Sequence, residues 1–140
     1  MKCKECRSKA VLARPQLCKD HFITYFEKKA REEIKKIEGS VCVAASGGKD
    51  STTILALLKD NGLEVSALAI DEGIEGYRDE SLENLKVFCK EREIPLKVVS
   101  FKENFGKTLD RIVEVKDHSC TYCGVLRRQL LNKHAQGYDI

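Results

Sequence analysis

Apolar residues recur at Phe22, Ile23, Phe26, Ala30, Ile34 and Ile37. Their three-to-four-residue spacing predicts an amphipathic helix over 22–37, stopped by Gly39. From residue 41 the rhythm changes. A continuous apolar run over 41–45 reads as a buried strand, and 50–60 reads as a helix closed by Asn61-Gly62. A second strand is predicted over 63–70. Asp79 is placed to cap a helix carrying Leu82, Leu85, Phe88 and Cys89, and a third strand follows Pro95 over 96–100. Further helices are predicted over 108–115 and over 124–136, the latter stopped by Gly137. Strand, helix, strand, helix, strand is the order of a parallel sheet with crossover helices, so the fold class is α/β. Residues 138–140 read as the entry to another strand, and three strands make a poor open sheet. The expectation is the N-terminal part of a longer protein.

Residues 1–21 break this pattern. They carry little apolar content but hold three of the seven cysteines. A segment of that kind cannot bury a core of its own. Its cysteines fall as Cys3-x-x-Cys6, then Cys18-x-x-His21 after eleven residues. Two short paired steps can close a tetrahedron around zinc, with no coordination position left open. The expected organisation is a zinc-binding knuckle at 1–21, a connecting helix at 22–39 and an α/β domain at 40–140.

Composition narrows the setting. The longest apolar run is five residues, against about 20 for a membrane helix, and the N-terminus has no apolar signal core. A cytoplasmic protein with no membrane partner is expected. In that reducing setting seven cysteines point to metal ligands or reactive thiols rather than disulfides. The net charge of +3 is compatible with a nucleic-acid partner without requiring one, and the absence of Trp argues against a broad stacking surface.

Ser46-Gly47-Gly48-Lys49-Asp50-Ser51 follows the first strand and opens a helix. That arrangement aims backbone N–H groups and the positive helix end at an anion. Gly47 and Gly48 allow close approach, Ser46 and Ser51 offer hydroxyls, and Lys49 offers a charge. The loop is not a Walker A sequence, since that motif would need glycine where Val43 stands. Near the other end, Cys120-Thr121-Tyr122-Cys123 is expected just before a helix bearing Arg127 and Arg128. A helix N-terminus favours thiolates, which suits a cluster, a metal or a redox pair.

Ser-Gly-Gly-Lys-Asp-Ser after an apolar strand resembles the PP-loop of the ATP pyrophosphatases, whose domains have the adenine nucleotide alpha hydrolase-like fold. An N-terminal CxxC…CxxH knuckle, this loop, and a CxxC followed by GxxRR occur here in one order. That order resembles the tRNA 2-thiouridine synthetases of the TtcA/TtuA type, including the cytosolic wobble-uridine thiolases. The resemblance implies ATP, Mg²⁺, Zn²⁺ and a [4Fe–4S] cluster as cofactors. It places the cluster on Cys120 and Cys123, with a third ligand outside this chain. Cys42 and Cys89, in a strand and on a helix face, read as core thiols.

The implied reaction adenylates the C2 oxygen of a tRNA uridine and replaces it with sulfur. Ser46, Gly47, Gly48 and Ser51 would contact phosphate, and Lys49 would stabilise transition-state charge. Asp50 would position Mg²⁺ or start the helix. Backbone groups at Ala69, Ile70 and Gly73, at the end of the second strand, would meet the adenine end. Sulfur would arrive on the cluster or as a persulfide on Cys120 or Cys123, and Arg127 would hold phosphate or the activated intermediate. The implied partners are tRNA, a sulfur donor (sulfide or a ubiquitin-like thiocarboxylate carrier) and a second copy in a homodimer. Lys28, Arg31 and Lys35, and Arg127, Arg128 and Lys133, are candidate RNA-facing groups. Glu27, Glu32 and Glu33 interleave with the first set, so a solvated face fits equally well. His118 and His134 read as surface residues. Two other functions fit the motifs: an adenylating ligase with only structural zinc sites, and a non-catalytic zinc-knuckle RNA-binding module.

Overall fold

The computed structural model describes residues 1–74, 77–108 and 119–136, with side chains at 77–79 and 119–122 left aside. The chain forms two compact units, Met1–Glu38 and Gly39–Ile140.

In the first unit, β1 (Leu12–Ala13) pairs antiparallel with β2 (Gln16–Leu17). Helix α1 (Lys19–Ile34) follows directly. It starts three residues before the apolar periodicity does. Its first turn, Lys19-Asp20-His21, is polar, and Asp20 there complements the positive helix end. No residue of α1 is buried. The core of the unit is Cys3, Leu17 and Cys18, with Phe22 packed against them.

The second unit is built on β3 (Val41–Ala44), β4 (Val65–Asp71) and β5 (Leu96–Ser100), parallel in the order β3-β4-β5. Val43 pairs with Ala67, and Ala69 with Val98. The expected α/β class with a parallel sheet is what forms. Strand alternation puts Cys42, Leu68, Ile70 and Val99 on one face. There they form a buried cluster with Phe101, Leu130 and Ala135. Leu130 belongs to α5 (Ser119–His134), which packs on β4. Val65, Ala67 and Ala69 point the other way and are also buried. Helices α2 (Lys49–Asp60) and α3 (Tyr77–Glu91) also pack on β4 and bury Leu55, Leu58, Leu82, Leu85 and Cys89. A sheet covered on both faces explains why β4 is apolar without alternation from Ala67 to Ile70.

Among the differences from expectation, three shape the site. Helix α3 begins at Tyr77, so Asp79 lies inside it and is not its cap. Helix α5 begins at Ser119, five residues before Gly124, so the CxxC lies within the helix instead of preceding it. A single interior glycine costs only about 1 kcal/mol and did not stop the helix. The third difference is a short helix absent from the expectation, α4 (Phe101–Phe105). Ser100 caps it, its Oγ accepting the Glu103 N–H at 3.3 Å, and left-handed Gly106 closes it. The helix expected over 108–115 falls, beyond Thr108, outside the described residues, as do the strand entry at 138–140 and His118. His134 departs from the surface reading: its Nε2 is shielded from solvent, and burial, then Lys97 and Lys133, lower its pKa.

Candidate functional site

In the first unit, the donor atoms of Cys3, Cys6, Cys18 and His21 all lie within 4.8 Å of one another. The β1–β2 pair and the start of α1 bring them together. Cys6 Sγ lies 3.7 Å from Cys18 Sγ, and His21 Nδ1 lies 3.6 Å from Cys3 Sγ and 3.2 Å from Cys18 Sγ. Zinc–sulfur and zinc–nitrogen bonds of ~2.3 and ~2.1 Å give tetrahedral edges of roughly 3.8 and 3.6 Å. Three thiols and one imidazole at these spacings fit a structural Zn²⁺, with His21 ligating through Nδ1.

The protonation of the four groups is divided: Cys3 and Cys6 are held down toward thiolate, while Cys18 and His21 are raised. Burial pushes the Cys3 thiol up, but backbone N–H groups of Cys18, Glu5 and Cys6 outweigh it and bring the thiol down to about 6. Hydrogen bonds from Ser8 lower Cys6. Hydrogen bonding to Cys3 and Cys6 raises His21. A thiol held below its ordinary pKa stabilises the fold at high pH and loses that contribution as pH falls through about 6. Zinc follows the same direction, because protons compete for every ligand. Zinc affinity should therefore weaken as pH falls below about 6, and competition with a chromophoric chelator measures it. An affinity independent of pH would contradict the assignment.

In the second unit, β3 ends at Ala44 and the chain turns through Ser46-Gly47-Gly48 into α2. Gly48 is the N-cap residue, and no side chain caps the helix. The first-turn N–H groups of Lys49, Asp50 and Ser51 are therefore left for a ligand. The Gly48 N–H donates to Ser46 Oγ at 3.3 Å, and Ser51 Oγ donates to the Gly48 carbonyl at 3.0 Å. Gly47 has φ +87°, and a Cβ there would sit 2.2 Å from the Ser81 carbonyl oxygen of α3. The loop is thus moulded against α3. Lys49 and Asp50 are exposed in the first turn of α2. Beside the loop opens a cavity of about 460 Å³, lined by Ser46, Gly47, Gly48, Glu80, Ser81, Asn84 and Arg127.

Arg127 reaches this cavity from α5. It also lines a smaller one of about 110 Å³ with Ala44, Ala45, Ser46, Leu68, Ile70, Glu72 and Leu131. Its guanidinium pairs with the Glu72 carboxylate and donates to Cys123 Sγ at 3.4 Å. Glu72 is 2% exposed, just past the end of β4.

The sequence profile of the family described as the PP-loop domain matches residues 19–136. The chain belongs to the PP-loop domain family. The cytoplasmic tRNA 2-thiolation protein 1 of Drosophila yakuba is 43% identical over 96% of this chain and 44% of its own length. The protein of the same name from Danio rerio is 42% identical over 100% of this chain and 46% of its own. Among solved structures, the U34-tRNA thiolase NcsA from Methanococcus maripaludis, with its [4Fe-4S] cluster, matches with a TM-score of 0.78. It is 34% identical, over 95% of this chain and 48% of that one. The chain spans under half the length of these relatives.

Around the PP-loop the structure gathers some sequence-predicted residues and leaves others apart. Ser46, Gly47, Gly48 and Arg127 line one cavity, and Ile70 lines the adjoining one. Ala69 is fully buried in the sheet and lines neither; the Gly73 N–H is held by Asp71 Oδ1 at 2.9 Å. Cys120 and Cys123 are one turn apart in α5, and the Cys123 thiol is half-buried beside Arg127. Cys42 and Cys89 are buried, and burial raises the Cys89 pKa. Glu72 was not among the expected site residues. Order along the chain carries no signal for it, since its partner Arg127 lies fifty-five residues later. Among the described residues no helix is long and apolar enough to cross a membrane.

Proposed function

We propose that this chain carries the nucleotide-activating loop and the CxxC of an ATP-dependent tRNA uridine 2-thiolase acting in the cytoplasm. The observation that carries this is Arg127, whose single guanidinium lines the PP-loop cavity and contacts the Cys123 sulfur. Activation and sulfur delivery have to meet at one carbon, and Arg127 joins the residues that serve each. The relatives named as tRNA 2-thiolation protein and as U34-tRNA thiolase support the reading.

The C2 oxygen of uridine is a poor leaving group. Its attack on the α-phosphorus of ATP forms a C–O–AMP ester and releases pyrophosphate. Hydrosulfide then attacks C2, the C–O bond breaks, and AMP leaves with the oxygen while a proton is lost. The step is redox-neutral. The N–H groups of Lys49, Asp50 and Ser51, with the hydroxyls of Ser46 and Ser51, would bind the phosphates of ATP. Lys49 would stabilise charge on departing pyrophosphate, and Asp50 would hold Mg²⁺ or favour the helix start. Ile70, which lines the adjoining cavity, would border the adenine end through its backbone. Cys120 and Cys123 supply two of the three thiolates that a [4Fe–4S] cluster needs, and the third would come from outside these 140 residues. Such a cluster, when bound, offers an open iron to sulfide. Arg127 would hold the adenylate against Cys123.

Residues 1–21 would be the zinc knuckle, 22–39 its connecting helix and 40–140 the PP-loop domain. The tRNA would meet the exposed cations of α1 and α5; on α1, Lys29 is already paired with Glu32 at 3.1 Å, and just past its end Lys36 is paired with Glu33 at 2.7 Å. Sulfide or a ubiquitin-like thiocarboxylate carrier would donate sulfur, and the active form would be a homodimer.

With anaerobically purified protein, ATP, sulfide and uridine-containing tRNA should yield AMP and pyrophosphate in equal amounts, and uridine 2-¹⁸O should transfer its label to AMP. ATP cleaved to ADP, or AMP without label, would overturn the activation step.

A further inference from the structure

We propose that Glu72 is a positioning residue of the PP-loop site, acting through Arg127. The inference rests on the nucleotide-site reading above and adds a residue to it. The Glu72 side chain is 3% exposed, whereas that of Arg127 is 46% exposed. A carboxylate buried to that extent is costly unless it is paired, so Glu72 demands a cation at one place. Arg127 supplies it. An exposed arginine alone would sample many rotamers. Here one end of the guanidinium is tied to Glu72, and the same group donates to Cys123 Sγ at 3.4 Å. Both cavities bordering the PP-loop share Arg127 as a wall. The remaining N–H donors are thereby presented to whatever anion the loop holds, at a fixed distance from the cysteine sulfur.

The polarity of the arrangement is informative. Glu72 is set by the sheet, since it follows β4 directly and its neighbour Asp71 is locked by pairing with Ser100. Arg127 lies on a helix and reaches across. The rigid partner therefore fixes the flexible one.

The test is a double-mutant cycle on nucleotide affinity, with Mg–ATP as the probe and isothermal titration as the readout. Glu72→Gln keeps the shape and removes the charge. It should weaken Mg–ATP binding about tenfold, as should Arg127→Gln. The double variant should be no weaker than either single one, because Glu72 acts only through Arg127. ¹⁵N-arginine spectra give a second readout. In the parent chain, the Arg127 side-chain N–H signals should be slowed by the carboxylate and should shift when Mg–ATP is added. In Glu72→Gln they should collapse to the solvent-averaged position. Additive losses in the cycle would make Glu72 a direct ligand or a merely structural residue and would overturn the inference. An unchanged affinity in Glu72→Gln would overturn it too. Failure of the parent chain to bind Mg–ATP would instead bring down the nucleotide-site reading, and this inference with it.

Discussion

Gly47→Ala is expected to abolish nucleotide binding, lowering Mg–ATP affinity at least ~100-fold, and to destabilise the second unit by ~2–4 kcal/mol. Two effects combine. The residue has φ +87°, a region in which an L side chain is strained. Its new Cβ would also sit 2.2 Å from the Ser81 carbonyl oxygen, which is helix backbone and cannot rotate away. The loop must lift off α3, and the N–H groups at the start of α2 lose their common focus. Gly62→Ala separates the two effects. Gly62 has φ +82° with nothing within 4 Å of its Cβ position. It should cost ~1 kcal/mol of stability and leave Mg–ATP affinity unchanged. Calorimetric titration and thermal melts of both variants check this. Equal losses of affinity in the two would remove the close packing on α3 from the account.

Cys18→Ser, or removal of zinc by a strong chelator, should unfold the first unit while the second remains folded. That unit buries only Cys3, Leu17 and Cys18, and no residue of its helix is buried. Two of those three core residues are themselves proposed ligands. Without metal there is too little apolar burial to offset the entropy of ordering 38 residues. Limited proteolysis should then cleave within residues 1–38 at least ~100-fold faster, with the fragment from Gly39 onward resistant. Leu17→Ala should be far milder, because the metal remains. A first unit that stays protected after chelation would show that it folds without metal.

How far the sequence disclosed this depended on whether a signal was local. Strand β5 was legible to the residue, because Pro95 and an apolar run mark it. The gathering of Cys3, Cys6, Cys18 and His21 was legible from spacing alone, since two short paired steps leave few other geometries. Helix starts were not. Ser119 opens α5 with neither an apolar stripe nor a described cap, and the eye stops at Gly124 instead. Helix α4 was announced by Ser100 and Glu103, a capping pattern that its five-residue length hid. Glu72 could not be assigned at all from order along the chain. It meets Arg127 fifty-five residues later, and only the packing of α5 on β4 puts them in contact. The Cys123–Arg127 contact, by contrast, follows from four-residue helical spacing and was open to inference.

The most direct measurement of the central claim is nucleoside mass spectrometry of tRNA. Under anaerobic conditions, unmodified tRNA would be incubated with reconstituted protein, Mg–ATP and sulfide, and then digested to nucleosides. The account predicts 2-thiouridine that depends on ATP and disappears in Cys123→Ala and Lys49→Ala. Uridine left unchanged, with iron, zinc and bound ATP all verified in the sample, would contradict it.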